Sequence, residues 1–305
     1  MKRIITLAIL LGLVGAASAA TIAQWNFAEG ADGAGATGDH VGDWDDHYQD
    51  GSGNANHLNT WPTGGATTPT YVANGAGGLA LDFDFADRIS THSGDGPSPV
   101  KMLDTYSFSS GFTIESTFKL DTVTEWQGIV SKDGKTNPGN PMVPFQMKMA
   151  PWGVLNVAFM DTAGTPFGVD IAAGYVEVDK WTSISATYDN NTFNVYGQKE
   201  GDAGYALLGS VSTHGNAADL GVAPRTDYPA HDPGWNIDHG WTVGYVMWDG
   251  STAGNHMDGQ VNEVKISDSV LGTGDFIGVI PEPATLSLLG LLGGVMLWIR
   301  KRFSI

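Results

Sequence analysis

Between residues 20 and 280 the chain is built of short runs in which apolar and polar positions alternate with a period of two. Ile22 to Phe27 (IAQWNF) places Ala23, Trp25 and Phe27 on one side and Ile22, Gln24 and Asn26 on the other, the signature of a strand with one face on a core. Leu79 to Phe85 (LALDFDF) repeats it, with Leu79, Leu81, Phe83 and Phe85 opposite Ala80, Asp82 and Asp84. Further strands are predicted over Phe112 to Leu120, Gln127 to Ser131, Val143 to Lys148, Val154 to Met160 and Trp181 to Tyr188. Thr192 to Tyr196, Trp241 to Tyr245 and Gly259 to Ser267 complete the set, with Gly, Asn, Asp and Pro between them. No 3.6-residue period occurs in this interval, so no helices are available to cover a sheet, and two sheets must cover each other. The predicted fold is all-β, a two-sheet antiparallel β-sandwich. The polar stretch Ala28 to Pro69 is too long for a hairpin connection and is expected to be a functional or metal-ordered loop.

The two ends break this pattern. Lys2 and Arg3 precede the apolar run Ile4 to Val14, and Ala17-Ser18-Ala19 follows, which predicts a secretory signal peptide over residues 1 to 19 cleaved after Ala19. At the other end stand Pro281-Glu282-Pro283, the apolar run Ala284 to Ile299 and the basic stop Arg300-Lys301-Arg302. That run is about 16 residues, just short of the roughly 17 to 25 that span a bilayer comfortably, and it is interrupted by Gly290, Gly293 and Gly294. A hydrophobic helix is expected at each terminus, with the C-terminal basic residues on the cytoplasmic side. The three-part tail resembles a PEP-CTERM sorting signal, found in exported proteins of Gram-negative bacteria that make extracellular polysaccharide; the rival is an ordinary tail anchor. The resemblance implies an exosortase-type membrane protease as partner, processing near Pro281, Glu282 and Pro283, with Arg300 marking the basic end. It also implies transient inner-membrane association, then the cell surface or extracellular matrix. The expected organisation is a signal peptide (1–19), one folded domain (20–276) and a sorting tail (277–305).

A second resemblance spans most of the folded domain. Trp25-Asn26-Phe27, the run Asp50 to Asn56, Gly78 to Phe83 and Phe112 to Glu115 follow one another as in a laminin G-like, concanavalin A-like jelly roll. Trp181 to Asp189 with Phe193 to Tyr196 is similar to that family's paired central strands, Met257 to Ile266 to its closing strand and Ser269 to Phe276 to its final turn. The resemblance implies a binding or adhesion scaffold, although some relatives cleave glycans. Members often carry Asp in the closing strand where this chain has Asn262.

Charge narrows the partners. Without Lys2, Arg3, Arg300, Lys301, Arg302 and Glu282, 10 Lys and Arg face 32 Asp and Glu, a net charge of −22. Nucleic acid and anionic lipid are poor partners for such a surface, whereas cations and neutral glycans suit it. With no cysteine, no disulfide can staple the domain.

Candidate chemistry falls into three groups. The segment Gly38 to Asn56 collects Asp39, Asp43, Asp45, Asp46, Asp50, Asn54 and Asn56, hard oxygens that suit a structural Ca²⁺. The expected ligands are Asp46, Asp50 and Asn54, with Glu263 reaching the same region. His40, His47 and His57 offer Zn²⁺ as an alternative, and a merely solvated loop is the third reading. Trp44, Trp61, Trp152 and Trp235 lie in Gly, Pro and Asp-rich segments and are candidate carbohydrate-binding rings, whereas Trp25, Trp181 and Trp241 lie within strands and are expected inside. The segment Asp227 to Trp241 is the densest such stretch, and is equally readable as a plug over the sandwich edge. For catalysis, Asp82 and Asp84 share a strand face, but alternating Asp and Phe is also what a half-exposed strand looks like. Glu115 stands alone, and no Ser-His-Asp grouping, phosphate loop or His-Glu-x-x-His motif is present. The expectation is an exported, non-catalytic surface or matrix protein that binds carbohydrate, with a glycan-cleaving enzyme and a purely structural matrix component as rivals.

Overall fold

In the computed structural model the described residues are 20–35, 48–60, 68–91, 101–132, 143–218, 220–221, 240–247 and 253–278. Along the chain the strands are β1 Thr21–Trp25, β2 Asn59–Thr60, β3 Thr70–Ala73, β4 Leu79–Phe83, β5 Ile89–Ser90, β6 Phe112–Leu120, β7 Gln127–Lys132, β8 Phe145–Met149 and β9 Leu155–Met160. They continue as β10 Pro166–Ile171, β11 Thr182–Tyr188, β12 Thr192–Lys199, β13 Ala206–Ser212, β14 Trp241–Val243, β15 Val246–Met247, β16 Ala253–Gly254 and β17 Gly259–Ser267. The eight-stranded sheet runs β13-β12-β11-β6-β17-β4-β3, with β1 also paired to β17. The seven-stranded sheet runs β10-β9-β8-β7-β14-β5-β2, and β15-β16 forms a small separate ribbon. Pairing within both large sheets is antiparallel. The expected sandwich is the observed one.

Alternation decides what lies between the sheets. Phe112, Ile114 and Phe118 of β6 face Phe145 and Phe159 of the opposite sheet, with Tyr188, Phe193 and Trp241 closing the same buried cluster. Most of these ring pairs are tilted or edge-on, as in Phe112–Phe159 at 5.8 Å and 85°, the arrangement aromatic quadrupoles prefer. Trp25 and Trp241 are in this core as expected. Trp181 is buried too, but in a small separate cluster with Ala80, Val72 and Ala76, and Lys119 Nζ stands 5.4 Å from its ring. It sits just before β11, outside the alternation that would point it inward.

Two expected boundaries shift. β4 ends at Phe83 rather than Phe85 because Asp84 starts a turn: its side chain caps Ala86 N–H at 2.9 Å, and the Asp87 carboxylate caps Asp84 N–H at 2.9 Å. The folded body also runs past 276. Ile277 N–H donates to Glu115 Oε1 at 2.9 Å, Tyr205 Oη donates to the Ile277 carbonyl at 2.6 Å, and Phe276 packs against Tyr196 and Tyr205. Residues 269 to 278 thus strap the outer face of β6 and β11, because that face offers Thr113, Glu115 and Thr117 as partners for the strap's backbone.

Among the described residues no helix is long and apolar enough to cross a membrane. The two terminal segments expected to be hydrophobic helices, with Ala19, Pro281, Glu282, Pro283 and Arg300, lie outside the described residues.

Candidate functional site

At one end of the sandwich, four connections meet. Phe85 follows β4, Glu125 and Trp126 close the β6–β7 loop, Trp152 caps the β8–β9 turn, and Asn255 and His256 lead into β17. Backbone and amide contacts fasten these loops together. The buried Gln127 side chain donates to Thr122 O at 2.6 Å and accepts from Asp258 N–H at 2.8 Å, while Gly128 N–H donates to Asn255 O at 2.6 Å. Gly259, which opens β17 beside them, has a φ of +143°, and a side chain there would run into the Lys119 carbonyl.

The result is an open groove of about 490 Å³ lined by Phe85, Glu125, Trp126, Asn255 and His256. Its rings are unusually accessible: Phe85 is 48%, Trp126 40% and Trp152 63% exposed. Trp126 and Trp152 stand perpendicular with centroids 5.0 Å apart, and Lys148 Nζ lies 4.8 Å from the Trp126 centroid. The Lys148 ammonium and the perpendicular Trp152 ring both pack against Trp126. Burial lowers the Lys148 pKa. His256 stacks on Tyr245 at 6.0 Å and 21°, with its Nδ1 3.3 Å from the Asp87 carbonyl. Burial, and then the charge of Arg88, pull its imidazole below the ordinary value, which favours the neutral form.

The surroundings are acidic. Asp121 is raised above the ordinary carboxylate range first by burial and then by Asp82 and Asp179. Asp258 is raised by burial and then by Asp121, Asp82 and Asp84. Only Glu125 among the lining residues is a carboxylate, so the pair that glycoside hydrolysis uses is not assembled in the groove among the described residues.

Of the four Trp residues expected to bind sugar, Trp152 is at this groove, while Trp44, Trp61 and Trp235 lie outside the described residues. Sequence reasoning passed over Trp126 and Phe85. The available signals were the turn-forming Asp121 to Thr124 just before Glu125-Trp126, and the two aspartates bracketing Phe85-Ala86.

Three of the four expected metal residues, Asp50, Asn54 and Glu263, have protein partners. Asp46 lies outside the described residues. Asp50 is buried, and its carboxylate accepts from the N–H groups of Gln24 (3.0 Å), Ser52 (2.9 Å) and Asn56 (2.9 Å) and from Ser52 Oγ (2.8 Å). Asn54 Nδ2 donates to the Ile22 carbonyl at 3.0 Å. Glu263 does reach the region, accepting from Gln24 Nε2 at 2.7 Å. Among the described residues no group of three or more His, Asp or Glu is placed to hold a metal ion. Asn262 Oδ1 accepts from Asn74 Nδ2 at 2.8 Å, a bond within the eight-stranded sheet.

No protein-family model matches the chain, and no curated protein sequence matches it. Among solved structures it is similar to the receptor-binding domain of botulinum neurotoxin mosaic serotype C/D, at 10% identity over 84% of this chain and 49% of that one, with a TM-score of 0.49. It is also similar to the binding domain of Paraclostridial Mosquitocidal Protein 1, at 13% identity over 75% and 48%, TM-score 0.45. The chain spans about half the length of these toxin domains. A third similarity is to the CBM40 of Ruminococcus gnavus IT-sialidase bound to alpha2,3 sialyllactose, at 15% identity over 55% and 80%, TM-score 0.37. At these scores the similarity carries nothing over to the residues of the groove.

Proposed function

We propose that this is an exported, non-catalytic surface or matrix protein whose sandwich binds carbohydrate in the loop-end groove. One observation carries the reading: the perpendicular Trp126–Trp152 pair, exposed beside a groove that also presents Phe85, Glu125, Asn255 and His256. Aromatic faces left in water are costly unless a ligand covers them. Sugar rings fit, because their C–H faces stack on indole while their hydroxyls pair with amide, carboxylate and imidazole neighbours. Export and sorting rest on the signal peptide and on the resemblance of residues 281 to 302 to a PEP-CTERM signal, with an exosortase-type protease as the processing partner.

The test is a binding screen of the purified chain against bacterial and algal polysaccharides, with Trp126→Ala and Trp152→Ala alongside. Binding that both variants lose supports the groove. Binding that survives in both moves the site elsewhere, and no binding by the wild type favours a purely structural matrix role.

A further inference from the structure

The groove and the acidic cluster occupy the same end of the molecule. Asp84 is the residue before Phe85, and Asp258 lies two residues after His256. Asp121 N–H donates to the Asp258 carbonyl at 3.0 Å, Asp258 N–H donates to Gln127 Oε1 at 2.8 Å beside Trp126, and Gln260, two residues after Asp258, donates to Asp82 Oδ1 at 3.1 Å. Glu125 is in the lining itself. Against these five carboxylates stand Lys148, Arg88 and Lys119, which lies over the Trp181 ring and acts on Asp121. The Lys148 ammonium is over the Trp126 ring, and the Arg88 side chain is buried, 5% exposed.

The geometry points to a groove that selects uncharged glycans and rejects those carrying carboxylate or sulfate. This deepens the carbohydrate-binding reading and rests on it. A neutral hexose meets the rings and hydrogen-bonding groups alone. A uronate brings a negative charge to a site that is lined by Glu125 and bordered by Asp82, Asp84, Asp121 and Asp258, and like charges brought together repel. His256 reinforces the choice. An uncharged imidazole offers a hydroxyl a partner but gives an anion no countercharge.

The experiment titrates the full-length chain, purified in detergent, with neutral cello- and manno-hexaose and with oligogalacturonate and oligomannuronate of the same length. At about 50 mM salt the neutral oligosaccharides should bind at least roughly tenfold more tightly than the uronates. The gap should narrow at about 500 mM salt, where screening is strong. Asp84→Asn combined with Asp258→Asn should raise uronate affinity by about threefold, the size expected for two partly screened charges. Uronates that bind as tightly as the neutral series at low salt overturn the selectivity while leaving the binding site intact. If neither class binds, the carbohydrate reading itself falls and the selectivity with it.

Discussion

The Asp50 loop and the loop-end groove look alike as sequence, each mixing aspartate, asparagine and aromatic residues among glycines, and the fold treats them in opposite ways. At Asp50 the carboxylate and the buried Asn56 amide have found protein partners. Both carboxylate oxygens accept two hydrogen bonds, from Gln24, Ser52 and Asn56, while Asn56 Nδ2 donates to the Ile22 carbonyl and Asn56 Oδ1 accepts from Leu103 N–H. At the groove the matched groups are backbone and amide, and the large rings remain in solvent. The first arrangement builds structure and the second leaves something for a ligand. The largest predicted effect follows. Asp50→Ala orphans buried donors at about 1–3 kcal/mol each, partly rehydrated, and should cost about 4 kcal/mol in urea unfolding, with glycan binding per folded molecule unchanged. A loss under about 1 kcal/mol would mean that the carboxylate does not organise this loop.

The groove should respond the other way. Trp126→Ala and Trp152→Ala should each weaken oligosaccharide binding about tenfold, roughly 1.4 kcal/mol, as isothermal titration would report. Each should cost less stability than Asp50→Ala, about 1–3 kcal/mol, since Trp126 is 40% and Trp152 63% exposed and only the rest of each ring is buried. Lys148→Met tests the support of Trp126. It keeps an unbranched side chain of similar length and removes the charge 4.8 Å from the ring, so binding should weaken about threefold, within the range of exposed cation–π contacts. If stability fell as far as in Asp50→Ala while binding stayed unchanged, the rings would be structural and the contrast with Asp50 would collapse.

How much of this was legible in the sequence depends on range. Alternation located β6 and β17 to the residue, because nine-residue runs such as Phe112–Leu120 leave no second register that buries Phe112, Ile114 and Phe118 together. It passed over β10 and β13. Pro166-Phe167-Gly168 opens with a helix-and-strand breaker, and Ala206 to Ser212 does not alternate because neither face of that edge strand is buried in the core. The density of aspartates around Asp50 was visible, but not that three of the hydrogen bonds to Asp50 come from backbone N–H groups that only the folded chain delivers. Trp152 was legible because it sits between Pro151 and Gly153. Trp126 was not, since it stands just outside the predicted strand Gln127 to Ser131 and its partners Trp152 and Lys148 are more than 20 residues away.

Glu115 lies between the two extremes and gives the smallest and sharpest test. It is fully buried on the outer face of β6, where Oε1 accepts from Ser185 Oγ at 3.1 Å and from Ile277 N–H, while Oε2 has only Lys265 Nζ at 3.5 Å. Burial raises its pKa, and the opposing pull of Lys265 and the two hydrogen bonds does not cancel that. A carboxyl that holds its proton more tightly folded than unfolded favours the folded state when protonated. Stability from this group is therefore fully present below the ordinary carboxylate pKa and declines as pH rises from that value to the raised one. Glu115→Gln keeps an oxygen for Ile277 N–H and cannot ionise. Its unfolding free energy should be flatter than the wild type's across that window, and amide exchange at residues 269–278 should slow with falling pH, relative to intrinsic rates, in the wild type alone. A wild type that instead gains stability on ionisation would show that Lys265 outweighs burial, placing Glu115 with Asp50 among the carboxylates the fold has fully matched.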